Sequence, residues 1–106
     1  MDMAIMQITV IPVGTASTSV GGHVADIEQY LLEKGVDHSL HDMGTIIAGP
    51  TGELFRLAEE IHSLPFRHGA QRVVTSITID ERTDKKRGIG DKVRAVKERL
   101  EKRAEK

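Results

Sequence analysis

Residues 4–11 read Ala-Ile-Met-Gln-Ile-Thr-Val-Ile, with Ala4, Met6, Ile8 and Val10 in one alternate set and Ile5, Gln7, Thr9 and Ile11 in the other. Successive side chains of a strand point to opposite faces of the sheet. Both faces of this strand are substantially apolar, so it needs neighbours on both sides and cover above and below, which predicts the central strand of a sheet. The helices and strands that follow must therefore fold back around it.

Val20, Val24, Ile27 and Leu31 recur at helical spacing and Gly35 supplies a stop, predicting a first helix over roughly Ser19 to Lys34. Two short extended segments, Asp37 to Met43 and Thr45 to Gly49, flank Gly44 as a hairpin or bent strand pair. After the break at Pro50-Thr51-Gly52, Leu54, Leu57, Ala58, Ile61 and Leu64 form one face of a second helix, ending before Pro65 or soon after. Val73, Thr75, Ile77 and Ile79 alternate with Val74, Ser76, Thr78 and Asp80 as a further strand. A polar linker, Glu81 to Gly90, leads to a charged helix with a narrow stripe of Ile89, Val93, Val96 and Leu100. The order predicts an α+β, ferredoxin-like βαββαβ sandwich with an additional C-terminal helix, one domain over residues 1–106.

In such a sandwich both helices cover the same face of the sheet. The other face would carry Ile5, Gln7 and Thr9 beside Val74 and Ser76, only half polar and poorly served by water. Self-association through that face is therefore expected, as a homodimer or homotetramer with the third helix assisting, and Asp80 and Arg82 at the strand exit are candidates for contacts that set its geometry.

The net charge of −1 hides a split: from Arg82 onward there are 11 basic and 5 acidic residues, and before it 4 basic and 11 acidic. Contacts between copies of the chain account for this more simply than nucleic acid does. A ferredoxin-like RNA binder stacks bases on aromatics of its sheet, whereas Tyr30, Phe55 and Phe66 all lie outside the predicted strands. No apolar run approaches membrane-spanning length, there is no cysteine, and no secretory signal opens the chain, so a cytoplasmic location is expected.

Two places suit a small polar ligand. Gly14-Thr15-Ala16-Ser17-Thr18-Ser19 lies between the first strand and first helix, where unpaired helix N–H groups are either capped by a hydroxyl or offered outward. Met43-Gly44-Thr45 is either a tight hairpin alone or a thioether and hydroxyl set beside Asp42, suited to a flat, cationic, partly apolar molecule. His38 and His41 fall on opposite faces of an extended strand and cannot easily share a metal, so both are expected to face solvent or an interface. No nucleophile, paired acid and base, or metal cluster supports catalysis, and no cofactor is implied.

Pro12-Val13-Gly14-Thr15 with the following hydroxyls, the Met43-Gly44-Thr45 step, the block from Ile61 through Gly69-Ala70-Gln71-Arg72-Val73-Val74-Thr75 to Lys85, and Asp91-Lys92-Val93 together resemble the small thiamine-binding protein family. The resemblance implies a ferredoxin-like fold, dimers and tetramers built by sheet packing, and a pocket for thiamine or its hydroxymethylpyrimidine moiety. Thr15, Ser17, Thr18, Ser19, Asp42, Met43 and Thr45 are then the candidate ligand-binding residues. Two positions depart from the family pattern: Ala48 stands where many members carry an acid, and Asp42, which replaces a common proline, is the candidate to substitute for that acid from a nearby backbone position. The expected role is a non-catalytic carrier, store or sensor; the alternative is a regulatory or scaffold oligomer binding another small effector at subunit contacts.

Overall fold

The structure is a computed structural model that describes residues 3–14 and 21–105. Its elements are β1 (Ala4–Pro12), α1 (Gly21–Lys34), β2 (Asp37–His41), β3 (Gly44–Gly49), α2 (Thr51–Arg67), β4 (Val73–Glu81) and α3 (Asp91–Ala104). The four strands form one sheet in the order β2-β3-β1-β4, every pair antiparallel. This is the ferredoxin-like βαββαβ arrangement with a C-terminal helix added, and β1 sits in the interior as its two apolar faces require.

Ala4, Met6, Ile8 and Val10 turn inward and pack with Ile47 of β3, Ile27 and Leu31 of α1, and Leu54, Leu57 and Ile61 of α2. Each large side chain buried this way contributes on the order of 1.5–3 kcal/mol of hydrophobic stabilisation. Helix α1 stops at Gly35, whose φ of 67° is readily reached only without a Cβ and whose N–H donates to the Leu32 carbonyl at 3.1 Å. Helix α2 runs through Pro65 to Arg67. It ends just beyond the proline, with the His68 and Ala70 N–H groups donating back to the Pro65 carbonyl and Gly69 N–H to Phe66.

Register assigns the opposite face. Ile5, Gln7, Thr9 and Ile11 lie across from Asp80, Thr78, Ser76 and Val74, and on the other side Ile5 and Gln7 lie across from Ala48 and Ile46. One end of this face is closed by the chain itself: Arg87 donates from its N–H to the Met3 carbonyl (3.3 Å) and from Nη2 to Asp80 Oδ2 (2.9 Å). At the other end Ile11 and Val74 remain 47% and 44% exposed. Helix α3 buries none of its residues, and its Val93, Val96 and Leu100 are each more than half exposed.

Candidate functional site

A cleft of about 290 Å³ opens where two strand ladders end at different points. The pairing of β1 with β4 continues to Pro12–Val73, but that with β3 ends at Ile8–Thr45. Beyond Ile8, the β3 side of β1 therefore has no partner strand among the described residues. The β2–β3 turn bends over this gap, held by the Thr9 hydroxyl, which donates to the Met43 carbonyl at 2.9 Å. Gly44 permits the close approach: its φ is 155°, and a Cβ there would lie 2.7 Å from Thr9 Oγ1 and 3.0 Å from the Ile8 carbonyl oxygen.

Val24 and Ile27 of α1 and Leu40 of β2 give the cleft apolar walls, and Asp42 and Met43 stand at its edge. Met43 is 80% exposed, whereas Thr45 is buried. The Thr45 hydroxyl donates to Glu28 Oε2 at 3.0 Å, leaving its oxygen lone pairs as its remaining capacity. The other Glu28 oxygen lies 3.6 Å from His38 Nε2, and His38 Nδ1 is 2.9 Å from the Val36 carbonyl. A carboxylate thus sits behind Thr45, beside an imidazole that is itself tethered to the backbone.

Of the ligand residues read from sequence, Asp42, Met43 and Thr45 meet at one cleft. Thr15, Ser17, Thr18 and Ser19 lie outside the described residues. His38 corrects an expectation: its side chain is only 13% exposed and points to the helix-covered side, because residue 38 pairs with core residue Ile47. His41, on the other face, contacts Ser39 Oγ at 3.1 Å. Glu28 was not singled out in the sequence, although it follows Val24 by one helical turn and adjoins Ile27, a position where a carboxylate needs a buried partner.

Register also clarifies Ala48. It faces away from the helices between Ile5 and Asp37, so an acid there would project from the opposite face, and the carboxylate across from it belongs to Asp37. Asp42, at the far end of the hairpin, does not replace it. The interface candidates Ile5, Gln7, Thr9, Val74, Ser76 and Asp80 share one face, but Asp80 is engaged within the chain by Arg87 and by Lys92 Nζ at 3.4 Å. Arg82, beyond the end of β4, pairs with Asp84. That pair raises the Arg82 pKa and lowers that of Asp84 through their hydrogen bonds.

Elsewhere Tyr30 donates to Glu60, linking α1 to α2. Burial, and then this hydrogen bond to a carboxylate, hold the phenol well above its ordinary pKa. His62 Nδ1 meets Thr75 Oγ1 at 2.6 Å, joining α2 to β4 beside Phe66. Among the described residues, no group of three or more His, Asp or Glu side chains converges as a metal site. No helix of the described chain is long and apolar enough to cross a membrane.

A four-stranded antiparallel sheet with two helices on one face and an apolar cleft beside an uncovered strand margin defines a small ferredoxin-like domain with a candidate ligand site. The chain belongs to the thiamine-binding protein family, whose sequence model matches residues 6–97. It is 42% identical over 102 residues to a UPF0045 protein from the glkA 3′ region of Staphylococcus xylosus, covering 92% of this chain and 95% of that one. The crystal structure of hypothetical protein MJ1052 from Methanocaldococcus jannaschii superposes with a TM-score of 0.82 at 30% identity, covering 92% and 99% of the two chains. A Thermotoga maritima protein named for thiamine biosynthesis or salvage shares the fold, with a TM-score of 0.74 at 17% identity and coverage of 89% and 98%.

Proposed function

We propose that this chain is a non-catalytic, homo-oligomeric binding protein for thiamine or its hydroxymethylpyrimidine moiety, acting as a carrier, store or sensor. The observation that carries the reading is the cleft beside residues 9–11 of β1, where an unpaired strand margin adjoins apolar walls. An aminopyrimidine has a flat apolar body and an edge of donors and acceptors, so it matches backbone groups on one side and Val24, Ile27 and Leu40 on the other. At about 290 Å³ the cleft lies at the small end of the usual range for ligand pockets, roughly 300–1,000 Å³, which favours one heterocycle as the enclosed part. Thr45 would accept a hydrogen bond from the ring's amino group, and Asp42 at the rim would favour positive charge. Thr18 and Ser19, outside the described residues, stay candidates on sequence grounds alone.

Self-association is supported by the exposed Ile11 and Val74 on the open face and by the unpartnered apolar stripe of α3. Light scattering should give a mass of two or four chains; a monomer would remove this part of the proposal. The same α3 stripe favours the second reading, a scaffold whose product is the oligomer. Calorimetric titration with thiamine and with hydroxymethylpyrimidine separates the two. The binder reading expects about one site per protomer with micromolar or tighter affinity, about −8 kcal/mol or better. A folded oligomer that gives no heat with either compound refutes it.

A further inference from the structure

On the far side of the molecule from the β2–β3 turn, the linker after β4 and the first two turns of α3 enclose a second cleft of about 400 Å³. Arg82, Lys85, Lys86, Arg87, Lys92 and Arg94 line it, against only two acidic side chains, Asp91 and Glu98. Four of the cations already have carboxylate partners: Arg82 with Asp84, Arg87 and Lys92 with Asp80, and Arg94 with Asp91. Lys85 and Lys86 form no direct ion pair among the described residues, although Asp84 feels the charge of Lys85, and six cations against Asp80, Asp84, Asp91 and Glu98 leave an excess of positive charge.

Arg87 distinguishes this cleft from an ordinary solvated basic surface. Its residue is only 7% exposed, and its buried Nε–H has no hydrogen-bond partner among the described residues. Withdrawing a guanidinium from water with a donor left over is unfavourable unless a further acceptor is supplied. Among the described residues the only acceptor for its side chain is Asp80, which is also shared with Lys92. Asp91 meanwhile places its carboxylate at the start of α3, accepting from Gly88 N–H at 2.9 Å and lying 3.3 Å from Arg94 Nη1. A negatively charged oxygen is thus already accommodated there by the chain itself.

We propose that this cleft binds a small phosphate-bearing anion. A tetrahedral oxyanion offers several acceptors at once, matching two exposed lysines without a direct ion pair and a guanidinium short of an acceptor. A small ligand is favoured over a nucleic acid because the cations converge on one concavity, and the nearby sheet face displays no aromatic ring for base stacking. The site is independent of the pyrimidine cleft.

The test is a phosphate titration of the full chain followed by amide chemical shifts, at constant ionic strength with chloride as the balancing anion. Saturable shifts are expected at residues 85–94, with a mononucleotide competing and unphosphorylated thiamine not competing. The double substitution Lys85→Gln, Lys86→Gln removes two exposed charges, and should weaken phosphate binding at least tenfold without changing the melting temperature in phosphate-free buffer. Arg87→Lys keeps the charge but removes the Nε donor and should also weaken binding. Non-saturable shifts, or an unchanged affinity in the double variant, would overturn the proposal. So would tight binding of a single-stranded oligonucleotide that phosphate cannot displace. Failure of thiamine to bind, with phosphate binding intact, would count against the pyrimidine reading alone.

Discussion

Replacing Thr45 with valine should cost about 1–2 kcal/mol of stability. Valine has nearly the shape of threonine, so the substitution opens no cavity and isolates the hydroxyl. That hydroxyl is buried and donates to Glu28 at 3.0 Å. A hydrogen bond to a charged group is worth roughly 1.5–3 kcal/mol, and an acceptor stripped of its donor keeps its desolvation cost. Two features reduce the figure: Glu28 retains 18% side-chain exposure, through which water can compensate, and it keeps the His38 contact at 3.6 Å. For a domain of this size the loss corresponds to a fall in melting temperature of roughly 4–12 °C. Urea denaturation of the parent, Thr45→Val, Glu28→Gln and the double variant measures the coupling directly, and on the order of 1 kcal/mol is expected between the two sites. Thiamine affinity should fall several-fold in Thr45→Val, in keeping with loss of one neutral hydrogen bond of about 1 kcal/mol. A Thr45→Val protein as stable as the parent, with zero coupling to Glu28, would refute the network and the role given to this hydroxyl.

Gly44→Ala should destabilise the chain by roughly 1–3 kcal/mol, because the added Cβ would meet Thr9 Oγ1 at 2.7 Å at a backbone conformation that L residues rarely adopt; unchanged thermal denaturation would contradict this. Tyr30 is the chain's single tyrosine, so its ultraviolet phenolate absorbance reports one site, and its midpoint should lie above the ordinary value of 10.0. A phenol whose pKa is raised by folding stabilises the fold fully below pH 10 and loses that contribution as pH rises through and beyond 10. A midpoint at or below 10 would show that the Tyr30–Glu60 contact is not formed.

The architecture was legible because its cues are local and periodic. Two-sided apolarity placed β1 inside the sheet, and the 3.6-residue spacing of Leu54, Leu57, Ala58 and Ile61 marked the buried face of α2. The cleft was half legible. Asp42, Met43 and Thr45 drew attention as a turn of unusual chemistry, but the cavity itself depends on a ladder that stops at Ile8, a property of register between distant segments. Glu28 was not singled out and His38 was expected at solvent or an interface for the same reason: each looks like a surface residue within its own element, and only the packing of α1 over β2 and β3 brings them together. Ala48 shows the limit most clearly. Its departure from the family pattern suggested compensation by the nearby Asp42, whereas antiparallel pairing sets Asp37 opposite it.

The most direct measurement is the map of backbone amide shifts on titrating the isotope-labelled chain with thiamine. Binding at the uncovered margin of β1 predicts that the largest changes fall together on Val10, Ile11 and residues 42–45, with Val24 and Ile27 following. Changes centred on Ile5, Gln7 and Ala48, on the opposite face, would contradict that placement, and an unperturbed spectrum at saturating thiamine would contradict the binding role itself.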